Sequence, residues 1–210
     1  MKIYLTRHGE TVWNLEKRFQ GWGDSELTDK GILRAKLLGE RLKNIQIDKI
    51  YTSPIKRAYR TAEIIKGNRD IELISIDGIK EMNFGKWEGL RNYDIKQNPE
   101  YAPHLYNLFN NPKDYKTFGG ESPKEFKKRI FNSMSEIIKN TNNNESILIV
   151  THGMTVKYLI TYFSKEFTED KFTDLPIFKQ ASYTEINYDG STFEIIKLND
   201  IEHYNLNKVI

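Results

Sequence analysis

The chain has 210 residues, 38% of them hydrophobic and 29% charged, which suits one folded unit with a substantial core and excludes a disordered chain. Its 32 Lys and Arg stand against 29 Asp and Glu, both signs scattered along the sequence, so a formal charge of +3 does not argue for nucleic acid as a partner. There is no cysteine, which removes disulfides, thiolate metal sites and cysteine nucleophiles.

Ile3 to Thr6 reads as a short buried strand, and the chain leaves it through a polar, glycine-bearing loop from Gly9 to Asp24. The apolar stretch at Met1–Leu5 is too short for a signal peptide, and no run approaches the ~18 apolar residues of a membrane span. The expectation is a cytoplasmic protein with no membrane partner. Thr28 is placed to cap a helix to about Lys43, whose stripe is Ile32, Leu33, Ala35, Leu37, Leu38 and Leu42. Lys49 to Thr52 forms a second strand. Ser53-Pro54 then opens a helix, with serine as cap and proline at its first position, and Ile55, Ala58, Ala62 and Ile65 make its apolar side. Glu72 to Ile76 is a continuous β-prone run, which predicts a strand covered on both faces.

From Glu81 to Glu121 the chain carries Phe84, Trp87, Tyr93, Tyr101, Tyr106, Phe109, Tyr115 and Phe118 among prolines, asparagines and glycines. This predicts an inserted helical and loop cap over about 85–121. Ser122-Pro123-Lys124-Glu125 has the form of a capping box, opening a long helix to about Asn140 with Phe126, Ile130, Met134, Ile137 and Ile138 on one side. Ile147 to Val150 is the most apolar strand, and a short helix from about Met154 to Phe163 follows it. Tyr183–Tyr188 and Thr192–Leu198 flank Asp189-Gly190, a hairpin signal, and the last dozen residues read as a polar tail. Strands alternating with helices give a three-layer α/β/α sandwich with a mostly parallel central sheet, carried by a single domain over 1–210.

Two strands end alike, in Thr6-Arg7-His8-Gly9 and in Thr151-His152-Gly153. In an open α/β sheet, ligands bind outside the carboxyl ends of the strands, so both imidazoles face the ligand edge. Arg7 beside His8 points to an anionic substrate. His8 can serve as a nucleophile, since an imidazole nitrogen can attack phosphorus and split hydrolysis into two easier steps. Arg7 and Arg57 are suited to compensating charge on a phosphoryl group with guanidinium forks, and Arg57 falls on the first turn of the helix after Ser53-Pro54.

The run Arg7-His8-Gly9-Glu10-Thr11 with Trp13-Asn14 resembles the signature of the histidine phosphatase, or phosphoglycerate mutase-like, superfamily. The resemblance continues in order through Arg18-Phe19-Gln20-Gly21, Leu27-Thr28-Asp29-Lys30-Gly31, Thr52-Ser53-Pro54 with Arg57-Ala58, Glu81 to Gly89, Gly119-Gly120-Glu121-Ser122 and Val150-Thr151-His152-Gly153. It implies that His8 is the phosphorylated residue, that His152 donates to the phosphoryl group, and that Glu81 is the acid that protonates the leaving alkoxide and later activates water. Glu88 and Glu10 rank below Glu81, as residues that order the cap and the first loop. Asn14, Gln20 and Gly21 are candidate phosphate or substrate contacts, with a structural turn an equal reading for Gly21. His104 and His203 match no family position. No cofactor is implied, and no His-x-x-x-His or paired Asp pattern suggests a metal.

Within the resemblance, cofactor-dependent mutases carry an Arg-His-Tyr-Gly run directly after the acid and an Asn-Lys pair after the following glycine. Here Met82-Asn83-Phe84-Gly85 and Arg91-Asn92-Tyr93 stand there. The loss of two cations implies a singly phosphorylated small metabolite and a metal-independent phosphomonoester hydrolase. The alternatives are a 2,3-bisphosphoglycerate-dependent phosphoglycerate mutase and a non-catalytic phosphate-ligand binding protein. Phosphosugars, phosphoglycerate and α-ribazole phosphate stay open as substrates, the cap aromatics hint at a ring or apolar surface, and the oligomeric state cannot be read. Glu26, Arg60 and Met154-Thr155 depart from the family pattern, at places expected to affect loop shape more than chemistry.

Overall fold

The computed structural model describes residues 1–168 and 172–208. In chain order the strands are β1 (Lys2–Arg7), β2 (Lys49–Thr52), β3 (Glu72–Ser75), β4 (Ser146–Thr151), β5 (Tyr183–Tyr188) and β6 (Phe193–Asp200). The helices are α1 (Val12–Leu15), α2 (Asp29–Arg41), α3 (Lys56–Lys66), α4 (Asn92–Gln97), α5 (Ala102–Asn110), α6 (Pro123–Lys139) and α7 (Gly153–Phe163). The strands form one sheet in the order β3-β2-β4-β1-β5-β6, parallel through the first four positions and closed by the antiparallel β5 and β6 hairpin.

Side-chain alternation decides the layers. On β1, Ile3 and Leu5 join the core that also holds Ile147 and Ile149 of β4, Phe126, Ile130 and Met134 of α6, and Leu159 of α7. Tyr4, Leu148 and Val150 face the other way, against Ala35, Leu38 and Leu42 of the α2 segment and Ala58, Ala62 and Ile65 of α3. Every residue from Ile147 to Val150 is fully buried, so this strand reads as an unbroken apolar run.

The caps at Thr28 and Ser122 form as their sequences require: Thr28 Oγ1 accepts from Gly31 N at 3.0 Å, and Ser122 with Glu125 closes a reciprocal capping box. Ser53 departs from expectation. The N-cap of α3 is Ile55, without a side-chain cap, because the Ser53 hydroxyl is engaged by His152 at 2.8 Å and by Ile55 N at 3.3 Å. β3 departs too. It is the outermost strand beside β2, and its residues run from half-buried to exposed, since an edge strand has a neighbour on one side only. The loop after β1 folds into the short α1, and residues 202–208 form a 3-10 turn against α2 instead of a free tail, with His203 buried.

The aromatic segment packs onto the α6 and α7 face as part of the same core. Trp87 is fully buried, with the rings of Phe19, Tyr115 and Phe118 centred 5.4–5.6 Å away. Among the described residues no helix is long and apolar enough to cross a membrane.

Candidate active site

Strand register brings the two histidines together. Arg7 pairs with Thr151 at the ends of the adjacent parallel strands β1 and β4, so His8 and His152 emerge side by side, ring centroids 5.3 Å apart. His8 N donates to Thr151 O at 2.8 Å, locking the two strand ends. The loop carrying His8 is pressed on the first turn of α2: a Cβ on Gly31 would stand 2.2 Å from Glu10 O, so only glycine permits this backbone approach.

His8 Nδ1 lies 2.7 Å from Gly9 O, an acceptor only, so Nδ1 carries the proton and Nε2 is the free lone pair. Arg57 Nε donates toward that Nε2 at 3.3 Å. Burial first, then the charges of Arg57 and Arg7, push the His8 pKa well below its ordinary value, so the ring is neutral at pH 7.

Arg57 is 2% exposed, and its fork is fixed by Gly21 O at 2.8 Å, Gly23 O at 2.8 Å and Asp24 at 3.0 Å. Arg7 donates Nη1 to Phe178 O at 2.8 Å, and its buried Nε has no partner. His152 is fully buried behind His8, its pKa pushed well down by burial and by Arg57. The Ser53 hydroxyl can give its proton to His152 Nε2, the tautomer in which the ring's own proton stands on Nδ1, a nitrogen with no partner among the described residues. Two buried donors, Arg7 Nε and His152 Nδ1, are thus unspent at the reaction centre, an arrangement suited to an incoming anion.

Glu81 sits against the N-terminus of α7. One carboxylate oxygen accepts from Met154 N at 3.0 Å, and the other from Met82 N at 3.0 Å and from Thr155 N and Oγ1 at 3.2 Å. Burial raises its pKa above the ordinary carboxyl value, opposed by the Met154 and Met82 N–H groups and then by Arg57 and Arg7. Met154 and Thr155 therefore hold the proposed acid, a closer part in the chemistry than the loop-shaping role expected of them. Glu81 O is pinned from outside by Trp22 Nε1 at 3.0 Å and Arg129 Nη2 at 3.1 Å.

A cleft of about 380 Å³ opens over this centre, and Arg7, His8, Asn14, Gln20 and Glu81 line it. Arg57 and His152 lie beneath it. Asn14 completes a capping box with Thr11 on α1, and Gln20 Nε2 donates to Thr11 Oγ1 at 2.6 Å, leaving its buried Oε1 without a partner. Gly21 does not line the cleft; it offers its carbonyl to Arg57, and a Cβ there would stand 2.1 Å from Glu88. Glu88 accepts from Trp22, Gly23 and Phe84 backbone N–H groups, tying the first loop to the stretch after Glu81, and Glu10 accepts from the Thr28 hydroxyl. Of the eight cap aromatics only Phe84 and Phe109 reach the cleft; the exposed Tyr93 and Tyr106 do not.

Residues 3–201 match the histidine phosphatase superfamily (branch 1). Phosphoserine phosphatase 1 of Hydrogenobacter thermophilus is 31% identical over 157 residues, 75% of this chain and 73% of that protein. A 2,3-bisphosphoglycerate-dependent phosphoglycerate mutase of Methylobacterium sp. is 32% identical over 164 residues, covering 75% of this chain and 78% of the relative. The solved structure of Bacillus stearothermophilus YhfR superimposes with a TM-score of 0.89 at 37% identity, covering 96% of this chain and 98% of that one. With a matched region that runs from the first histidine-bearing strand to beyond the last strand of the sheet, the chain belongs to the histidine phosphatase superfamily.

Proposed function

We propose that this protein is a phosphomonoester hydrolase that works through a phosphohistidine on His8 and acts on a small phosphorylated metabolite. The observation that carries the reading is the unprotonated Nε2 of a neutral His8, oriented by Gly9 O and facing Arg57 Nε at 3.3 Å, in a cleft that also holds Glu81. His8 Nε2 attacks phosphorus, the P–O ester bond breaks, and Glu81 gives its proton to the departing alkoxide. Water then attacks the phosphohistidine, Glu81 takes the water's proton, and the N–P bond breaks to release inorganic phosphate and restore His8. Arg7 Nε, Arg57 Nε and His152 Nδ1 receive the charge on the equatorial oxygens, and Asn14 and Gln20 stand at the cleft wall to orient the substrate.

Hydrolysis is favoured over phosphoryl transfer between substrate oxygens because Met82 is fully buried and Asn83 is spent on Gly85 N and Glu121. That stretch therefore supplies no cation to the cleft. Relatives named for phosphoserine and for phosphoglycerate support a small phosphorylated substrate. The test is metal-free hydrolysis of p-nitrophenyl phosphate, with alkaline-quenched mass spectrometry for a phosphoryl adduct. The parent should turn over and show the adduct on His8, and His8→Ala should show neither; undiminished turnover by His8→Ala overturns the nucleophile. Primer-dependent phosphoglycerate interconversion faster than hydrolysis would overturn the choice of water as acceptor.

A further inference from the structure

We propose that the outer part of the cleft is a subsite for a carboxylate on the leaving alcohol, held by Lys17 and Lys157; the proposal rests on the phosphatase reading above. Charge accounting comes first. Among the described residues Glu81 is the one carboxylate that lines the cleft, and it is bound by the backbone of α7. Of the cations that line it, Arg7 serves the phosphoryl group and Arg18 is held by Gly89 O and Glu16. Lys17 and Lys157 remain, and neither pairs with a carboxylate among the described residues. Two cations facing one cleft without counter-charge repel each other until an anion arrives.

The backbone positions both. Lys17 adopts φ +56°, a left-handed conformation that costs a side-chain-bearing residue energy, and its carbonyl accepts from Asn92 N at 2.8 Å, fixing it there. Lys157 lies on α7 four residues after Gly153, on the same face and about 6 Å farther along the axis. It is half-buried; among the described residues its ammonium meets Phe172 O at 3.4 Å and stands 5.0 Å over the Phe172 ring, and burial holds its pKa below the ordinary lysine value. An anion beside it restores the favourable charged state. Asn92, bonded to Lys17 O, also lines the cleft, and its buried Oδ1 has no partner among the described residues, an acceptor for a hydroxyl or ammonium next to that carboxylate. Phe84, Phe109 and Phe178 give the cleft apolar walls beside the two lysines. Two single ammonium groups, with no free guanidinium fork and no cradle of backbone N–H groups, suit a monoanionic carboxylate better than a second phosphoryl dianion.

The experiment compares kcat/KM for three phosphomonoesters of one three-carbon frame, ending in carboxylate (3-phosphooxypropanoate), methyl (propyl phosphate) or a second phosphoryl group (propane-1,3-diol bisphosphate). The parent should prefer the carboxylate over the methyl ester by roughly tenfold or more, the scale of one charge-assisted contact. Lys157→Met and Lys17→Met should each collapse that ratio several-fold. A parent ratio near one, or a ratio that survives both substitutions, overturns the subsite. A bisphosphate preferred over the carboxylate overturns the choice of anion. Loss of p-nitrophenyl phosphate turnover in the parent would instead remove the phosphatase reading, so the two failures are distinguishable.

Discussion

In the proposed reaction Glu81 holds a proton when the ester bond breaks and lacks one when water attacks, and its surroundings pull in both directions. Burial raises its pKa, while the N–H groups of Met82 and Met154 stabilise the carboxylate. The opposing influences favour proton uptake without removing the carboxylate's hydrogen-bond support. Replacement of Glu81 by Gln keeps the shape and removes the exchangeable proton, so alkyl phosphates should slow by about 10²–10⁴. With p-nitrophenyl phosphate the leaving phenolate needs no proton, and a pre-steady-state burst of p-nitrophenol should survive in that variant although turnover falls. An equal loss of the burst on both substrates would sink the acid assignment. The pH dependence of kcat/KM follows the same signs. The proposed reaction needs His8 neutral, above its lowered pKa, and Glu81 protonated, below its raised one, so kcat/KM should fall on the alkaline side as Glu81 loses its proton, and Glu81→Gln should lose that limb. Arg7 and His8 stand out in the chain as a cation beside an imidazole at a strand end, and Glu81 through the resemblance that places it before Phe84-Gly85. Phe178 and Gly23, which orient Arg7 and Arg57, do not, because they contribute carbonyl oxygens that any residue could supply.

Elements with their own stop and start signals were readable for the same local reason. The α2 and α6 starts follow from Thr28 and from the Ser122–Glu125 box, whose partners lie within one turn. Ser53 carries the same local signal, yet its hydroxyl goes to His152, 99 positions away, and no short-range rule contains that partner. β3 shows the complementary gap: its apolar run fixes a strand, while its edge position depends on the order of the whole sheet. The contrast makes a paired prediction. Thr28→Ala removes a working cap and should lower stability by about 1 kcal/mol, read by thermal melting. Ser53→Ala removes no cap, so its melting shift should be smaller, while it frees His152 Nε2 to take the proton. That loss should raise KM for phosphomonoesters several-fold, as expected for one hydrogen bond of about 1 kcal/mol. A Ser53→Ala variant with a large melting shift and an unchanged KM would return Ser53 to a capping role.

Across the whole molecule, the sheet gathers its chemistry at one edge and buries three of the four histidines in doing so. His8, His152 and His203 are each at most 2% exposed, and burial lowers the pKa of each. The unfolded chain binds protons on these rings from about pH 6.5 downward while the folded chain does not, so stability should fall as pH falls through that range. His203, whose pKa is lowered to about 4, contributes a loss of about 3 kcal/mol, complete only below about pH 4. It sits away from the cleft, between Tyr183 and Tyr204, with Nε2 2.9 Å from Ala181 O. His203→Gln should therefore flatten the fall in melting temperature between pH 7 and pH 5. Inorganic phosphate should act on the other two rings, because an anion at the reaction centre favours protonated His152 and binds only the folded state. Its stabilisation should grow as the pH is lowered from 7 toward 5.5 and should be lost in His152→Ala. Equal stabilisation by phosphate at both pH values in the parent would show that His152 does not gain its charge from the phosphoryl group.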